Sequence, residues 1–321
     1  MLVLCSEIKI GGVSFKSVHE VRIKRSIYNL AATAVIKLPV TAVLKHTGEP
    51  PAHIETATAI KVGQRVEIRL GYDGRFNTEF AGYVKRLNYK VPLEIECEDE
   101  YYLTRWKNCL FSQKETTLKQ CLNTILPDIK IAYCADLTLK NFVINNKPGS
   151  WVLGLLKKEY GLTVFFDLQG ALYAGKAYDV QAETVKKYRL RYNVIRDDDL
   201  KYQFAQDVKL KVKAVCYYKD GTRIEGEIGQ EGGETKTLYF YDVKDAGELK
   251  SLAGQELKRH SFDGYRGKIE TFLFPYALPG MVAALDDPIY QERSGNYYIE
   301  STETTFGIGG ARRSVEIGIK V

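Results

Sequence analysis

The stretch from Lys61 to Asp99, KVGQRVEIRLGYDGRFNTEFAGYVKRLNYKVPLEIECED, has the clearest secondary-structure pattern in the chain. Its first third alternates apolar with charged residues at the period of a half-buried strand: Val66, Ile68 and Leu70 against Arg65, Glu67 and Arg69. A turn at Tyr72–Arg75 follows, in which Gly74 is free to take a positive φ. The pattern predicts a strand that returns from this turn.

The rest of this stretch predicts two further strands. One covers about Phe80–Leu87, and the other alternates its residues again: Leu93, Ile95 and Cys97 against Glu94, Glu96 and Glu98. Three such strands form an antiparallel meander with one apolar and one charged face, as on one side of a barrel or sandwich. If they are neighbours, the basic side chains of the first two strands lie near the glutamates of the third: Arg65, Arg69 and Lys85.

The order of patterns along the chain predicts three domains. β-type alternation fills residues 1–104, and two amphipathic helices at about 116–126 and 150–160 mark a small α+β insert over residues 105–180. Ser150 is the expected N-cap of the second helix, and Gly161 is its expected C-terminal glycine. Residues 181–321 again show the alternating pattern of β-strands, with one helix predicted at 245–260. The predicted fold class is therefore mainly β, with a small α+β insert between two β domains.

The composition favours a β-rich protein that meets partners. The chain of 321 residues contains 22 tyrosines, and Tyr is favoured both in strands and at interfaces. Its net charge of +6 comes from 46 basic and 40 acidic residues that are interspersed, whereas nucleic-acid binders cluster their basic residues. We therefore expect no specific nucleic-acid binding. A single-strand binder on a barrel, using Tyr faces and basic strands, remains an alternative.

The cysteines and the N-terminus indicate a soluble protein made in the cytoplasm. None of the six cysteines forms a C-x-x-C motif, and Cys97 and Cys121 fall on apolar faces, as expected for buried thiols in a reducing compartment. The N-terminal residues lack the basic and long apolar regions of a secretory signal. No apolar run approaches the roughly 20 residues of a spanning helix, so no membrane insertion is expected.

No catalytic, cofactor or metal site is predicted. The four histidines fall in no H-E-x-x-H motif, and neither a G-x-S-x-G motif nor a P-loop is present. The carboxylates around Glu94–Glu100 share one wet strand face, whereas general acid–base catalysis needs a pair in different environments. We expect an assembly component and not an enzyme. An enzyme acting on cell-wall carbohydrate or peptidoglycan, seated in the insert, is the alternative.

Four groups of phrases, in their order along the chain, resemble the baseplate hub proteins of contractile phage tails. That family includes the late control D-like proteins and the hub portion of type VI secretion spike proteins. The first group is Val21–Pro39. The second group, also in the first domain, is Val62–Ile68, Gly71–Asp73, Phe80–Val84, Ile95–Asp99 and Leu103. Those of the insert are Thr117–Leu126, Ser150–Leu153, Tyr160–Leu162, Asp167, Gly170 and Leu172–Gly175. The terminal group is Ala253–His260, Leu278–Val282, Gly295–Ile299 and Gly310–Arg313.

This resemblance implies two tandem barrels per chain and a homotrimer with six similar barrels. Such a ring joins a six-fold tail tube to a three-fold spike around a central channel, in contact with other baseplate proteins. Because no needle follows in the sequence, the resemblance implies a separate spike protein and favours a phage tail or tail-like particle. The protein would be assembled in the bacterial cytoplasm and then reside in the particle. The charged strand faces are the expected channel or subunit face: Arg65, Glu67, Arg69, Glu94, Glu96 and Glu98.

Overall fold

The structure is a computed structural model that describes residues 2–44, 52–176, 178, 184–217, 222–240, 243 and 245–321. The predicted domain boundary at residues 180 and 181 lies outside the described residues. Strands dominate the described part, so the prediction of a mainly β fold is confirmed.

The N-terminal part is built from strands and two short 3-10 helices, Thr56–Ala59 and Glu100–Arg105. Its strands are β1 (Leu4–Ile10), β2 (Val13–Phe15), β3 (Glu20–Ser26), β4 (Thr33–Leu38), β5 (Thr41–Leu44), β6 (Ala52–Glu55), β7 (Arg65–Tyr72), β8 (Arg75–Asn88) and β9 (Leu93–Glu98). The middle part contains β10 (Asn108–Thr117), α1 (Leu118–Ile125), β11 (Ile131–Cys134), β12 (Thr138–Pro148), α2 (Gly149–Tyr160), β13 (Thr163–Phe166) and β14 (Leu172–Gly175).

The C-terminal part mixes strands with one long helix. Its elements are β15 (Val185–Arg189), β16 (Val194–Arg196), β17 (Lys201–Gln203), β18 (Leu210–Tyr217), β19 (Arg223–Gly229), β20 (Glu234–Phe240), α3 (Ala246–His260), β21 (Gly264–Thr271), β22 (Val282–Asp286), β23 (Gly295–Gly307) and β24 (Gly310–Lys320). Short 3-10 helices cover Ala205–Asp207 and Gln291–Arg293.

The predicted meander is present, and it forms the centre of the first half. Strand β8 pairs antiparallel with β7 on one side and with β9 on the other. The sheet then continues from β9 to β4 and β3, and from β7 to β1 and β2. Alternate residues of these strands point into one hydrophobic core that includes Ile36, Ile68 and Ile95. Alternation of apolar and charged residues therefore sets which face is buried.

One sheet runs through both halves of the molecule. Strand β3 of the first half pairs antiparallel with β23 over seven residue pairs, from Ser301↔Ser26 to Gly307↔Glu20. Beyond β23, the 14-stranded sheet continues to β24, β21 and β16, and β22 pairs with the start of β23. Strand β23 thus lies at the boundary of two cores, with Ile299 in the second core and Phe306 in the first. The two barrel-like halves share a strand.

Two further hydrophobic clusters lie beside these cores. The middle part packs α1, α2 and its own strands around a separate core that contains Leu122 and Leu156. Within the C-terminal part, strands β19, β18 and β20 form a three-stranded sheet that packs on α3. This second α/β unit was not anticipated from the sequence, which predicted one barrel with a helix over residues 181–321. The three-domain division remains a prediction.

The helix ends follow the local sequence in most places. Thr117 caps α1 in a reciprocal capping box with Gln120, and Gly161 ends α2 at a φ of 62°. The prediction of Ser150 as N-cap is wrong, because β12 continues through Pro148 and the helix already begins at Gly149. The extended backbone of Pro148 takes the N-cap position without a side-chain hydrogen bond.

The predicted burial of Cys97 and Cys121 is confirmed. In the ranges that the structure describes, none of the helices combines the length and apolar composition needed to span a bilayer.

Candidate functional site: the charged outer face and the buried junction

The side of the sheet that points away from the cores forms one charged surface, which we call the outer face. Cross-strand register places its residues side by side, for example Lys37 opposite both Glu20 and Glu94. The outer face carries acidic and basic side chains from nine strands: Glu7, Lys9, Glu20, Arg22, Lys24, Lys37, Arg65, Glu67, Arg69, Lys85, Glu94, Glu96, Glu98, Lys268, Glu270, Glu303, Arg312 and Glu316. Both signs are interspersed along the whole sheet.

The six residues expected at a channel or subunit face all lie on this surface: Arg65, Glu67, Arg69, Glu94, Glu96 and Glu98. Five of them are partly or fully accessible. Glu98 is buried beneath two basic side chains. Lys85 Nζ lies 3.2 Å from Glu98 Oε1, and Arg105 donates to the same carboxylate from Nη2 at 2.8 Å and from Nε at 2.9 Å. Whether this surface meets a channel stays a prediction.

The expected ion pairs within the meander form only in part. Lys85 does contact Glu98, as predicted. Arg65 instead pairs with Glu100, and Arg69 Nη1 lies 2.6 Å from Glu7 Oε2. The expectation for the two arginines is wrong because β8 separates β7 from β9, so the acidic partners come from β1 and from the 3-10 helix after β9.

Sequence reasoning missed the half of the outer face that belongs to the C-terminal strands. Arg22 and Lys24 on β3 lie 3.3 and 3.5 Å from the two carboxylate oxygens of Glu303 on β23. Farther along, Arg312 pairs with Glu270 at 3.7 Å, so the ion pairs continue into the second half. The alternation of residues in β23 and β24 predicts a charged face on these strands. The pairing of β23 with β3, however, cannot be read from the sequence.

The opposite side of the same strands holds a buried polar junction. Arg313 is fully buried on β24, and its Nη2 lies 2.5 Å from Glu79 Oε1 on β8. Its Nη1 donates to the carbonyl oxygens of Leu273 and Pro275 at 2.8 and 3.2 Å, and its Nε donates to Thr304 at 3.3 Å. This pair satisfies its charges where the two halves meet, which is the condition for a buried ion pair to be tolerated.

A second polar cluster joins four parts of the chain. The carboxylate of Glu300 on β23 accepts hydrogen bonds from Tyr28, which follows β3, and from Tyr178, near the end of the predicted insert. The two hydroxyl oxygens lie 2.6 Å apart, and burial raises the pKa of both tyrosines. Next to them, the ring of Tyr178 contacts that of His260 at the end of α3. The cluster connects the insert and the α/β unit to the shared strand.

His260 is a buried histidine at the edge of this cluster. Its Nε2 lies 3.2 Å from Lys236 Nζ, and the side chain is buried. Burial lowers the pKa of His260 to about 4, and the positive charges of Lys236, Arg266 and Arg259 act in the same direction. His260 is therefore neutral at pH 7, and protonation requires acid.

No protein-family model and no curated protein sequence matches this chain. Solved structures do match it in fold. A tail protein from Neisseria meningitidis MC58 is 11% identical and has a TM-score of 0.64, over 98% of this chain and 96% of that one. The 43 kDa tail protein of prophage MuSo2 from Shewanella oneidensis is 17% identical, with a TM-score of 0.62 and 98% coverage of both chains.

A third similar structure is the c3393 protein of E. coli, described as a component of the type VI secretion system. It is 10% identical with a TM-score of 0.59, and the match covers 97% of this chain and 76% of that one. These likenesses extend over nearly the whole chain and are not confined to one half. The chain therefore has the fold of these phage tail and secretion-system proteins, which confirms the predicted resemblance at the level of the fold.

Proposed function

We propose that this chain is a structural baseplate hub protein of a contractile phage tail or a phage-tail-like particle. It acts as a homotrimer that joins a six-fold tail tube to a three-fold spike around a central channel. The observation that carries the proposal is the continuous sheet, in which β3 and β23 join two barrel-like halves. The likeness to tail proteins over the whole chain supports it.

The symmetry argument follows from the two halves. Each chain presents two barrel-like halves along one sheet, so three chains supply six similar halves to a six-fold ring. Because they are only similar, the same trimer retains three-fold symmetry toward a spike. Ring closure also gives neighbours to the strands at the ends of the sheet, β2 and β16, which edge strands need.

The outer face is the proposed wall of the channel. A barrel packs one face of its strands in a core and leaves the other to water or partners. Here that second face is charged in both halves, with neither sign forming a block. Mixed charge keeps the wall hydrated and does not hold a passing molecule of either sign strongly.

The partners that this role requires are the tail tube protein, a spike protein and other baseplate proteins. The chain would be assembled in the bacterial cytoplasm and then occupy the tail of the particle. Its role is structural, without catalysis.

The first test is the solution mass of the purified protein by light scattering over a concentration series. The proposal predicts a stable mass near three times the chain mass of 36.4 kDa. A monomer at every concentration, also when mixed with its spike protein, would contradict the trimer.

A second test separates a channel wall from a subunit interface. Two partly exposed acidic residues of the outer face are reversed, Glu96→Lys with Glu303→Lys. If the outer face lines a channel, the trimer stays intact, and transport through the channel or assembly with the tail tube changes. The matched control reverses two exposed glutamates away from the outer face, Glu231→Lys with Glu292→Lys. Dissociation of only the first variant to the mass of one chain would show that the outer face is a subunit contact and not a channel wall.

A further inference from the structure

The positive charge of the chain is concentrated in its middle part. Residues 105–176 carry ten basic and five acidic residues, so they account for five of the six net positive charges. Two of their lysines pair with carboxylates of the same part, at 3.4 Å between Lys140 and Glu115 and at 3.7 Å between Lys158 and Glu159. A local excess of one sign selects partners of the opposite sign.

The two tryptophans of the chain are both exposed in this part. Trp106 precedes β10 and is 69% exposed, and Trp151 in the first turn of α2 is 43% exposed. Tryptophan is highly buried on average in folded proteins and is enriched where proteins meet. Two exposed tryptophans therefore point to a surface that a partner covers.

The backbone before β10 runs beside the start of α2, which brings the two tryptophans to adjoining segments. Strand register places Asn108 opposite Pro148. A Cβ added to Gly149 would lie 3.3 Å from the carbonyl oxygen of Thr104. Each tryptophan follows one side of this contact by two residues.

Two lysines and a leucine lie at the same place. Lys147 is paired with Cys109 across the strands, and its Nζ lies 5.7 Å from the ring centre of Trp151. Leu110 is 76% exposed and lies where the register of β10 shifts. We call this set the tryptophan–lysine surface: Trp106, Lys107, Leu110, Lys147 and Trp151.

The tryptophan–lysine surface is electropositive. Within the described part of the chain, its two lysines belong to no ion pair, and both are exposed. Of the acidic residues just before and after Trp106, Glu98, Glu100 and Glu115 pair with other basic side chains. The N-terminus of α2 adds partial positive charge, because its first turn contains no acidic residue.

We propose that the tryptophan–lysine surface docks an acidic segment of a partner protein, whose carboxylates meet the two lysines and whose apolar side chains pack on the tryptophans and Leu110. Protein interfaces combine aromatic anchors with a polar rim. A nucleic-acid binder instead clusters its basic residues on one face or stripe, whereas the lysines of the middle part are spread over β10, α1, β12 and α2. The inference does not rest on the proposed hub function, because it concerns the purified chain as a monomer or as a trimer.

The first measurement tests whether the surface is accessible and positive. Because the chain contains two tryptophans, both in this surface, its tryptophan fluorescence reports on the surface alone. Quenching by iodide and by caesium is compared at low ionic strength, each relative to free N-acetyltryptophanamide. A positive surface attracts iodide and repels caesium, so relative quenching by iodide should be at least about twofold stronger. Equal relative quenching, or no quenching by either ion, would overturn the proposal.

Charge reversal locates the effect. The variant Lys107→Glu with Lys147→Glu should lose the preference for iodide. The matched control, Lys16→Glu with Lys187→Glu, changes the net charge equally at two exposed lysines outside the middle part. The control should behave as wild type. Loss of the preference in both double variants would show that net charge alone sets the quenching, and would overturn the proposal.

Binding is measured on the full chain with a random copolymer of glutamate and tyrosine, by tryptophan emission and by calorimetry. We expect saturable binding to wild type and to the control, and at least about tenfold weaker binding to Lys107→Glu with Lys147→Glu. Equal binding to the two double variants, or no saturable binding to wild type, would overturn the proposal.

The apolar contacts are tested by Leu110→Ser, which changes an exposed side chain and leaves the lysines in place. Copolymer binding should weaken at least about threefold, and wild type should bind poly-L-glutamate less tightly than the copolymer. Unchanged copolymer binding in Leu110→Ser would count against the surface even if the lysine variant failed to fold. Tighter binding of oligothymidylate than of the copolymer would assign the surface to nucleic acid and overturn the proposal.

Discussion

Arg312 and Arg313 are neighbours in sequence on β24, yet they belong to two regions with opposite physics. Arg312 lies on the outer face, where its side chain is 40% exposed and pairs with Glu270 at 3.7 Å. Arg313 points to the other side, is fully buried, and pairs with Glu79 at 2.5 Å. The same residue type therefore satisfies a buried charge at the junction in one position and lies on the accessible outer face in the next. Burial, and not the kind of side chain, sets the role.

The largest expected effect is the loss of one member of the buried pair. Arg313→Ala leaves Glu79 as an uncompensated buried charge, so the free energy of unfolding should fall by about 3–5 kcal/mol. Denaturation in urea measures this change. The matched control is Arg312→Ala, which should cost less than about 1 kcal/mol. Similar losses for the two variants would remove the distinction between the two regions.

The next effect tests whether burial also governs the cluster around His260. Its pKa is lowered to about 4 in the folded chain, against 6.5 when unfolded, so the unfolded state binds more protons between these values. The free energy of unfolding is therefore highest above pH 6.5. It decreases as the pH falls toward 4, by at most about 3 kcal/mol.

The measurement for His260 is the free energy of unfolding of wild type and of His260→Gln between pH 7 and pH 4. As the pH falls from 7 to 4, the free energy of unfolding of wild type should decrease more than that of His260→Gln. Parallel curves would show that His260 titrates normally in the folded chain.

The smallest effect concerns the outer face. Glu303→Gln removes the partner of both Arg22 and Lys24, but all three side chains are at least one-third exposed. We expect a loss below about 1 kcal/mol that disappears in 1 M salt, because exposed charges are screened. A loss as large as that of Arg313→Ala, or one that persists in salt, would show that the outer face is structural after all.

The sequence predicts the parts of this fold that are local. The β7–β8–β9 meander, the C-terminal glycine of α2 and the burial of Cys97 all follow from alternation or turn chemistry within a few dozen residues. The pairing of β3 with β23 joins residues more than 270 positions apart, and no local pattern specifies it. For the same reason, Arg65 and Arg69 found acidic partners other than the predicted ones.

The buried junction escaped prediction for a related reason. Glu79 and Arg313 are 234 positions apart, and each stands in a strand whose alternation gives no sign of a buried charge. Arg25 likewise lies beside Lys24 in a short basic run, typical of a solvated strand face, although its side chain is buried. Charged residues on the core side of a strand are recognised only when their distant partners are known.

The strand shared by the two halves has a mechanical consequence. Separate domains joined by a linker move relative to each other by default. Here β23 and β3 lie side by side and are paired over seven residue pairs, which joins the two halves. Pulling the halves apart along that direction loads these backbone hydrogen bonds in shear, so that they must break together and not one after another. Under such a load the two halves would therefore move as one rigid body, without a hinge between them.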